Sequence, residues 1–229
     1  MQKILSLQER LNNFTGDYVS NYPKMTLYRL SRLLPYFSLE PDDIIVDYAC
    51  GSGMLAEIIH GLVQKYVGVD FSSEFIALAT ERTSKLGIRN ARFKTSDIVD
   101  FAKANEGVFD KAFAMDFAET IYDDEFRKIF KAALSSLKSG GTLYIHEPNG
   151  AFFVERLRDF KLLPRTKQVV AVRTAKQLER MLNEVGFCNI QIRMLAHYEM
   201  PFSFLHPLSK LPGLGKLFEA RTFIRADRP

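Results

Sequence analysis

The chain has 229 residues, 47% hydrophobic, 25% charged and 12% aromatic, with a formal charge of +4. That length supports one generous domain, or a domain with an appended lid, and 19 Phe exclude a wholly disordered chain. Two Cys make neither a disulfide framework nor a four-Cys zinc site, no run approaches a membrane span, and the first residues turn polar too early for a signal peptide. These features predict a soluble, cytoplasmic protein without a metal site.

Ile4, Leu5, Leu7 and Leu11 predict a short first helix, and Leu27, Leu30, Leu33 and Leu34 predict a second from Pro23 to Tyr36. Residues 1–42 therefore read as a helical lid or substrate segment, with Tyr18 and Tyr22 placed to fold over a site. From Asp43 the pattern alternates. Ile44-Ile45-Val46 predicts a strand, Ser52 to Gly61 a helix, Tyr66-Val67-Gly68-Val69 a second strand, and Ser73 onward a helix ending at Gly87. Ala91-Arg92-Phe93 and Val108 to Met115 predict strands three and four. A helix capped by Asp123 is expected to run to Gly140-Gly141, with strand five over Thr142 to Ile145. Thr174 and Gln177 form a capping box for a helix that ends at Gly186. Ile190 to Leu195 and Thr222 to Arg225 are the last strands. Alternating strands and helices predict a parallel sheet covered on both faces. The ending lacks a helix for a right-handed crossover, so the final strand is expected to insert antiparallel.

In such sheets ligands bind beyond the carboxyl ends of the strands. Those ends carry Asp47, Asp70, Asp97, Met115-Asp116 and His146-Glu147. Gly51 and Gly53, in the first strand-to-helix turn, let backbone approach a ligand closely. Asp70 is placed to accept from two ribose hydroxyls, Asp97 to accept from an adenine amine, and Ile98 to pack on the ring.

From Asp43 to Arg225 the arrangement resembles the class I S-adenosylmethionine-dependent methyltransferases. Asp47-Tyr48-Ala49-Cys50-Gly51-Ser52-Gly53 is similar to that family's D-x-G-x-G-x-G motif. Gly68-Val69-Asp70-Phe71-Ser72 and Thr95-Ser96-Asp97-Ile98 match its later acidic positions. So do Gly140-Gly141-Thr142 and the Val185-Gly186-Phe187 turn. The one departure is Ala49, which fits if its φ is negative. The resemblance implies an α/β fold: a Rossmann-like, doubly wound, seven-stranded sheet, mostly parallel with an antiparallel last strand. It also implies S-adenosyl-L-methionine as cofactor, with Asp47, Ala49, Gly51, Gly53, Asp70, Phe71, Asp97, Ile98 and Asp116 as its binding residues. A nicotinamide dehydrogenase is the competing fold reading, through Gly51-x-Gly53-x-x-Ala56.

The implied reaction is in-line methyl transfer, which depends chiefly on positioning. His146, ending strand five, and Glu119, past strand four, are the candidate bases. Substrate contacts are expected from Tyr18, Tyr22 and Phe152 and from insertions around 149–173 and 197–217. These segments are rich in aromatics and cations, including Arg156, Arg158, Lys161, Arg165 and Lys167. An apolar pocket with a basic rim suits a carboxylate, phenol or lipid-like metabolite. Residues 151–229 hold 14 basic against 7 acidic residues, which favours an anionic small molecule. RNA or protein methylation is the alternative, but strand four lacks an N/D-P-P-Y/F box and no separate RNA-binding domain fits. A non-catalytic cofactor-binding module is the third reading, supported only by Ala49.

Overall fold

The computed structural model describes residues 14, 16, 19, 27–196, 207, 208 and 211–229, apart from the side chains of 216 and 217. The expected helix over residues 4–11, Tyr18 and Tyr22, and most of 197–217 lie outside them.

Seven strands form one sheet in the order 3-2-1-4-5-7-6. They are β1 (Ile44–Tyr48), β2 (Lys65–Asp70), β3 (Ala91–Thr95), β4 (Phe109–Met115), β5 (Leu137–Pro148), β6 (Cys188–Leu195) and β7 (Arg221–Asp227). β1 to β5 pair in parallel, while β7 inserts antiparallel between β5 and β6. The inserted last strand is thus as the sequence predicts. Strand alternation divides the core between two faces. Val46, Ala112, Leu143 and Ile224 pack on one face with α4 (Ile98–Lys103), α5 (Asp123–Ser136) and α7 (Ala175–Val185). Ile45, Phe113, Tyr144 and Phe223 pack on the other with α1 (Tyr28–Ser31) and α2 (Met54–Ile59). There Tyr144 stacks between Phe113 and Phe223, at 5.1 and 6.0 Å.

Several boundaries differ from expectation. Of the expected second helix the structure describes residues 27–36, where it is α1 plus a short turn over Leu34–Tyr36, because Pro35 cannot continue the hydrogen-bond ladder. α5 stops at Ser136, since the chain already pairs Leu137 with Phe109 of β4. Its N-cap is Tyr122, whose amide donates to Glu125 at 3.3 Å. α4 and α6 (Phe153–Asp159) were not expected as helices. α3 (Ser73–Lys85) begins where expected, with Ser72 as its N-cap, and α7 follows its predicted Thr174–Gln177 box. No helix among the described residues is long and apolar enough to cross a membrane.

Candidate active site

The turn after β1 is held by the strand beside it. Asp70, ending β2, accepts from the Gly51 amide at 3.0 Å and the Ser72 amide at 2.9 Å. Burial pushes its carboxyl up to about 6 against the pull of those amides. Gly51 and Gly53 have φ of +51° and +72°. Ala49 also has a positive φ, +57°, so the expectation of a negative value there is corrected. An alanine in that region is strained by about 1–2 kcal/mol. Ala49→Gly is therefore expected to stabilise the chain by about 1 kcal/mol, after subtracting glycine's greater freedom in the unfolded chain. Urea unfolding would show a higher midpoint at unchanged slope. A lower midpoint would mean that the packing of the Ala49 methyl outweighs the strain.

Asp97 caps α4, its Oδ1 accepting from Val99 and Asp100 at 2.8 and 3.4 Å. A slot forms between these strand ends. It is lined by Ala49, Gly51, Asp70, Phe71, Asp97, Ile98 and Asp116 among the expected cofactor residues, joined by Phe75, Met115, Phe117 and Ile121. Phe14 closes on Phe71 edge-on, with ring centroids 5.9 Å apart. Apolar walls with carboxylates at the rim fit a flat heterocycle bearing amine and hydroxyl donors. Gly53 lies outside the slot, packed so that an added Cβ would meet Ala79 at 3.0 Å and Phe93 at 3.1 Å. Asp47 lies outside it too. Its carboxylate accepts from the Tyr66 hydroxyl at 2.5 Å and borders a small cleft beside Ala49 and Asp116. Burial raises the Asp47 carboxyl to about 7.

Asp116 is the node of the site. It pairs with Arg29 at 2.7 Å, Arg221 at 3.1 Å and His146 Nδ1 at 3.0 Å. Burial would raise its carboxyl, but these neighbours outweigh it and hold the group well below the usual carboxylate range. His146 is fully enclosed and lines neither the slot nor the cavity beyond it. Burial lowers its pKa, partly opposed by Asp116, so the ring is neutral. His146 thus stands behind Asp116, away from the walls of the slot. The insertion of β7 against β5 brings Phe223 opposite His146 in the register.

Glu147 accepts from three consecutive backbone amides, Phe117, Ala118 and Glu119, at 3.1, 2.6 and 2.9 Å. Its side chain also hydrogen-bonds the Glu119 carboxyl. Burial raises both carboxyls, and their mutual repulsion adds to the rise of Glu147, so the pair shares one proton. The hydrogen bond between them raises the Glu147 carboxyl and lowers that of Glu119, so the proton sits on Glu147. Glu119 Oε2 is buried without a partner. Sequence reading noticed Glu119 but treated Glu147 only as a neighbour of His146. Arg173 was also missed. It is buried and bolts this loop through the carbonyls of Ala118 (2.7 Å) and Ile121 (2.8 Å) and the Asp123 carboxylate (2.8 Å).

A second cavity of about 430 Å³ shares Asp116 and Thr120 with the slot. Glu119, Arg29 and Arg221 line it at this junction. Phe152 and Val154 of the 149–173 segment line it further out, together with Arg158 and Arg165.

A doubly wound sheet with an inserted antiparallel strand, and acidic strand ends around a nucleoside-shaped slot, defines a class I methyltransferase domain. The chain belongs to that family: the family model described as "Methyltransferase domain" matches residues 20–192, and the family is the S-adenosylmethionine-dependent class I methyltransferases. It is 28% identical over 131 residues to the ubiquinone biosynthesis O-methyltransferase of Xanthomonas axonopodis pv. citri, covering 56% of this chain and 54% of that one. The protein of the same name from Thiobacillus denitrificans is 26% identical over 154 residues, covering 62% and 63%. The chain thus spans little more than half the length of the first of these relatives. In fold it is similar to Haemonchus contortus phosphoethanolamine N-methyltransferase 2 in complex with S-adenosyl-L-methionine. The TM-score is 0.73 at 17% identity, over 99% of this chain and 60% of that one. A SAM-dependent methyltransferase from Archaeoglobus fulgidus gives 0.62 at 21% identity, over 88% and 92%.

Proposed function

We propose that this chain transfers the methyl group of S-adenosylmethionine to an oxygen of a small organic molecule seated in the second cavity. The observation that carries this reading is the shared wall at Asp116 and Thr120, which sets a nucleoside slot directly against a mixed apolar and basic cavity. The O-methyltransferase names of the curated relatives agree with an oxygen acceptor. A carboxylate, a phenol and a lipid-like hydroxyl are the acceptor classes this cavity chemistry suits.

In this reading Asp70 holds the ribose hydroxyls and Asp97 the adenine amine, while Ile98 and Phe71 pack on the nucleoside. Ala49, Gly51 and Gly53 shape the turn beside the methionine end, with Asp47 and Asp116 behind it. Phe152 packs on the substrate, and the 1–42 and 197–217 segments shape its access. When bound, S-adenosylmethionine supplies an electrophilic methyl group, which the acceptor oxygen takes as the C–S electron pair returns to sulfur. Glu119, on the cavity wall, is the base: its carboxylate takes the acceptor's proton. His146 acts indirectly, by fixing Asp116.

S-adenosylmethionine at about a hundred times its Kd is expected to stabilise the chain by about 2.7 kcal/mol, a melting shift of roughly 5–10 °C. Asp70→Ala should abolish that shift. Stabilisation by NADH and not by S-adenosylmethionine would refute the reading.

A further inference from the structure

We infer that the second cavity selects a substrate carrying one singly charged oxyanion, bound by Arg158 and Arg165, with its acceptor hydroxyl at the Glu119 end. The inference rests on the methyl-transfer reading above for the identity of that cavity as the substrate site.

The cavity has two chemically distinct ends. At the slot end stand Asp116 with its two arginines, and Glu119 with its unpartnered Oε2. At the far end α6 and the chain after it bring two guanidiniums onto one buried carboxylate. Glu155 accepts from Arg158 one helical turn along and from Arg165 Nη2 at 3.1 Å. Arg165 reaches out as well to Asp159 at 2.9 Å, a half-exposed carboxylate outside the cavity lining. The Nε–H groups of Arg158 and Arg165 are both buried without an acceptor. A guanidinium presents five donors in a planar fork, suited to two oxygens of one oxyanion. Those Nε–H groups are closed to the cavity, but both guanidiniums line it, and the bonds to Glu155 and Asp159 do not use all their terminal donors, which a ligand oxyanion can accept. The rest of the lining is largely apolar, with Phe152, Val154, Val169, Val172 and Ala220 beside Thr166 and Gln168.

Charge arithmetic sets the valence. Arg29, Arg158, Arg165 and Arg221 line the cavity, against Asp116, Glu155 and the single negative charge of the Glu119–Glu147 pair. Among the described lining groups one positive charge is in excess. A single oxyanion neutralises it. Half-exposed Asp159, outside the lining, already offsets part of that charge through Arg165, so one oxyanion is the most the cavity can match and a dianion overshoots. Carboxylate and phosphodiester share the chemistry required: one charge, two equivalent oxygens and an apolar body.

The test is calorimetric titration of the full chain with 3-phenylpropanoate, diphenyl phosphate and the neutral 3-phenylpropan-1-ol, each in the presence of S-adenosylmethionine. The carboxylate or the phosphodiester, or both, should bind, and the stronger of the two identifies the substrate's anionic group. The alcohol should bind at least roughly tenfold more weakly. Arg158→Gln and Arg165→Gln should each weaken anion binding by roughly ten- to a hundredfold while leaving S-adenosylmethionine affinity unchanged. Retained cofactor binding shows that a variant is folded, and two separate variants guard against one of them misfolding. Equal binding of the alcohol, undiminished anion binding in both variants, or no anion binding at all would overturn the inference. Failure of the wild type to bind S-adenosylmethionine would instead sink the methyl-transfer reading, so the two failures are distinguishable.

Discussion

Asp116→Ala is expected to destabilise the chain by about 3–5 kcal/mol and to weaken the slot at the same time. The carboxylate neutralises two guanidiniums that are themselves largely buried, with side-chain exposures of 10% for Arg29 and 15% for Arg221. Removing it takes a close charge partner from each and the hydrogen bond from His146 Nδ1. Breaking such a pair is far more damaging than its net contribution suggests, because the charges stay behind in a poorly solvating place. Asp116 also holds a φ of +52°, a region asparagine and aspartate tolerate better than alanine. Asp116→Asn keeps the shape and the hydrogen-bonding oxygen and loses only the charge, so its loss should be clearly smaller than that of Ala. Urea unfolding of the two variants separates charge from shape. If Asn proves near neutral, the node is not held by its charges; if Ala proves no worse than Asn, the whole loss is that of the charge. Met115, Asp116 and Phe117 all line the slot, so reduced S-adenosylmethionine affinity should accompany the loss of stability.

The parts of this site that are local in sequence were legible there. Strand alternation separates Ile45 from Val46 and Phe113 from Ala112, and the Thr174–Gln177 box and Gly186 mark both ends of α7. Asp70 and Asp97 announce themselves as carboxylates at strand ends, and both line the slot. Asp97 also explains a miss: read as a ligand contact, it hid its second role as the N-cap of α4, which is only six residues long. Gly140-Gly141 reads as a helix stop, but β-pairing of Leu137 with Phe109 ends α5 first, a long-range preference that no local pattern reveals. The Asp116 node was invisible for the same reason. Arg29, Asp116, His146 and Arg221 come from four separate elements or loops, and only the insertion of β7 beside β5 brings Arg221 to the others. The Glu119–Glu147 pair depends on the turn after β4 folding back so that three amides point at one carboxyl group.

That same turn has a second fastening, and Arg173→Ala should release it. The loss expected is about 3 kcal/mol, a fall in melting temperature of roughly 10 °C. Arg173 is 5% exposed and lies just before the cap of α7, yet its guanidinium reaches across to the turn between β4 and α5. Nη1 and Nη2 donate to the carbonyls of Ala118 and Ile121, and Nε donates to Asp123. The group also sits over the Phe126 ring, with its carbon 5.0 Å from the centroid. Asp123 is more than a third exposed, so solvent screens that ion pair and little of the loss belongs to it. The larger share comes from the two carbonyls that lose a charged donor and from the space vacated beside Phe126. Arg173→Lys should recover only a small part, because an ammonium cannot span two carbonyls and a carboxylate in one plane. The functional consequence follows from what the turn carries. Phe117, Thr120 and Ile121 wall the slot, and Glu119 on the same turn lines the second cavity. A loosened turn should weaken S-adenosylmethionine binding even below the temperature at which the variant unfolds. Hydrogen exchange at the amides of Phe117, Ala118 and Glu119 would report this directly. If those amides stay as protected in Arg173→Ala as in the parent chain, Glu147 alone holds the turn and Arg173 serves only to dock α7.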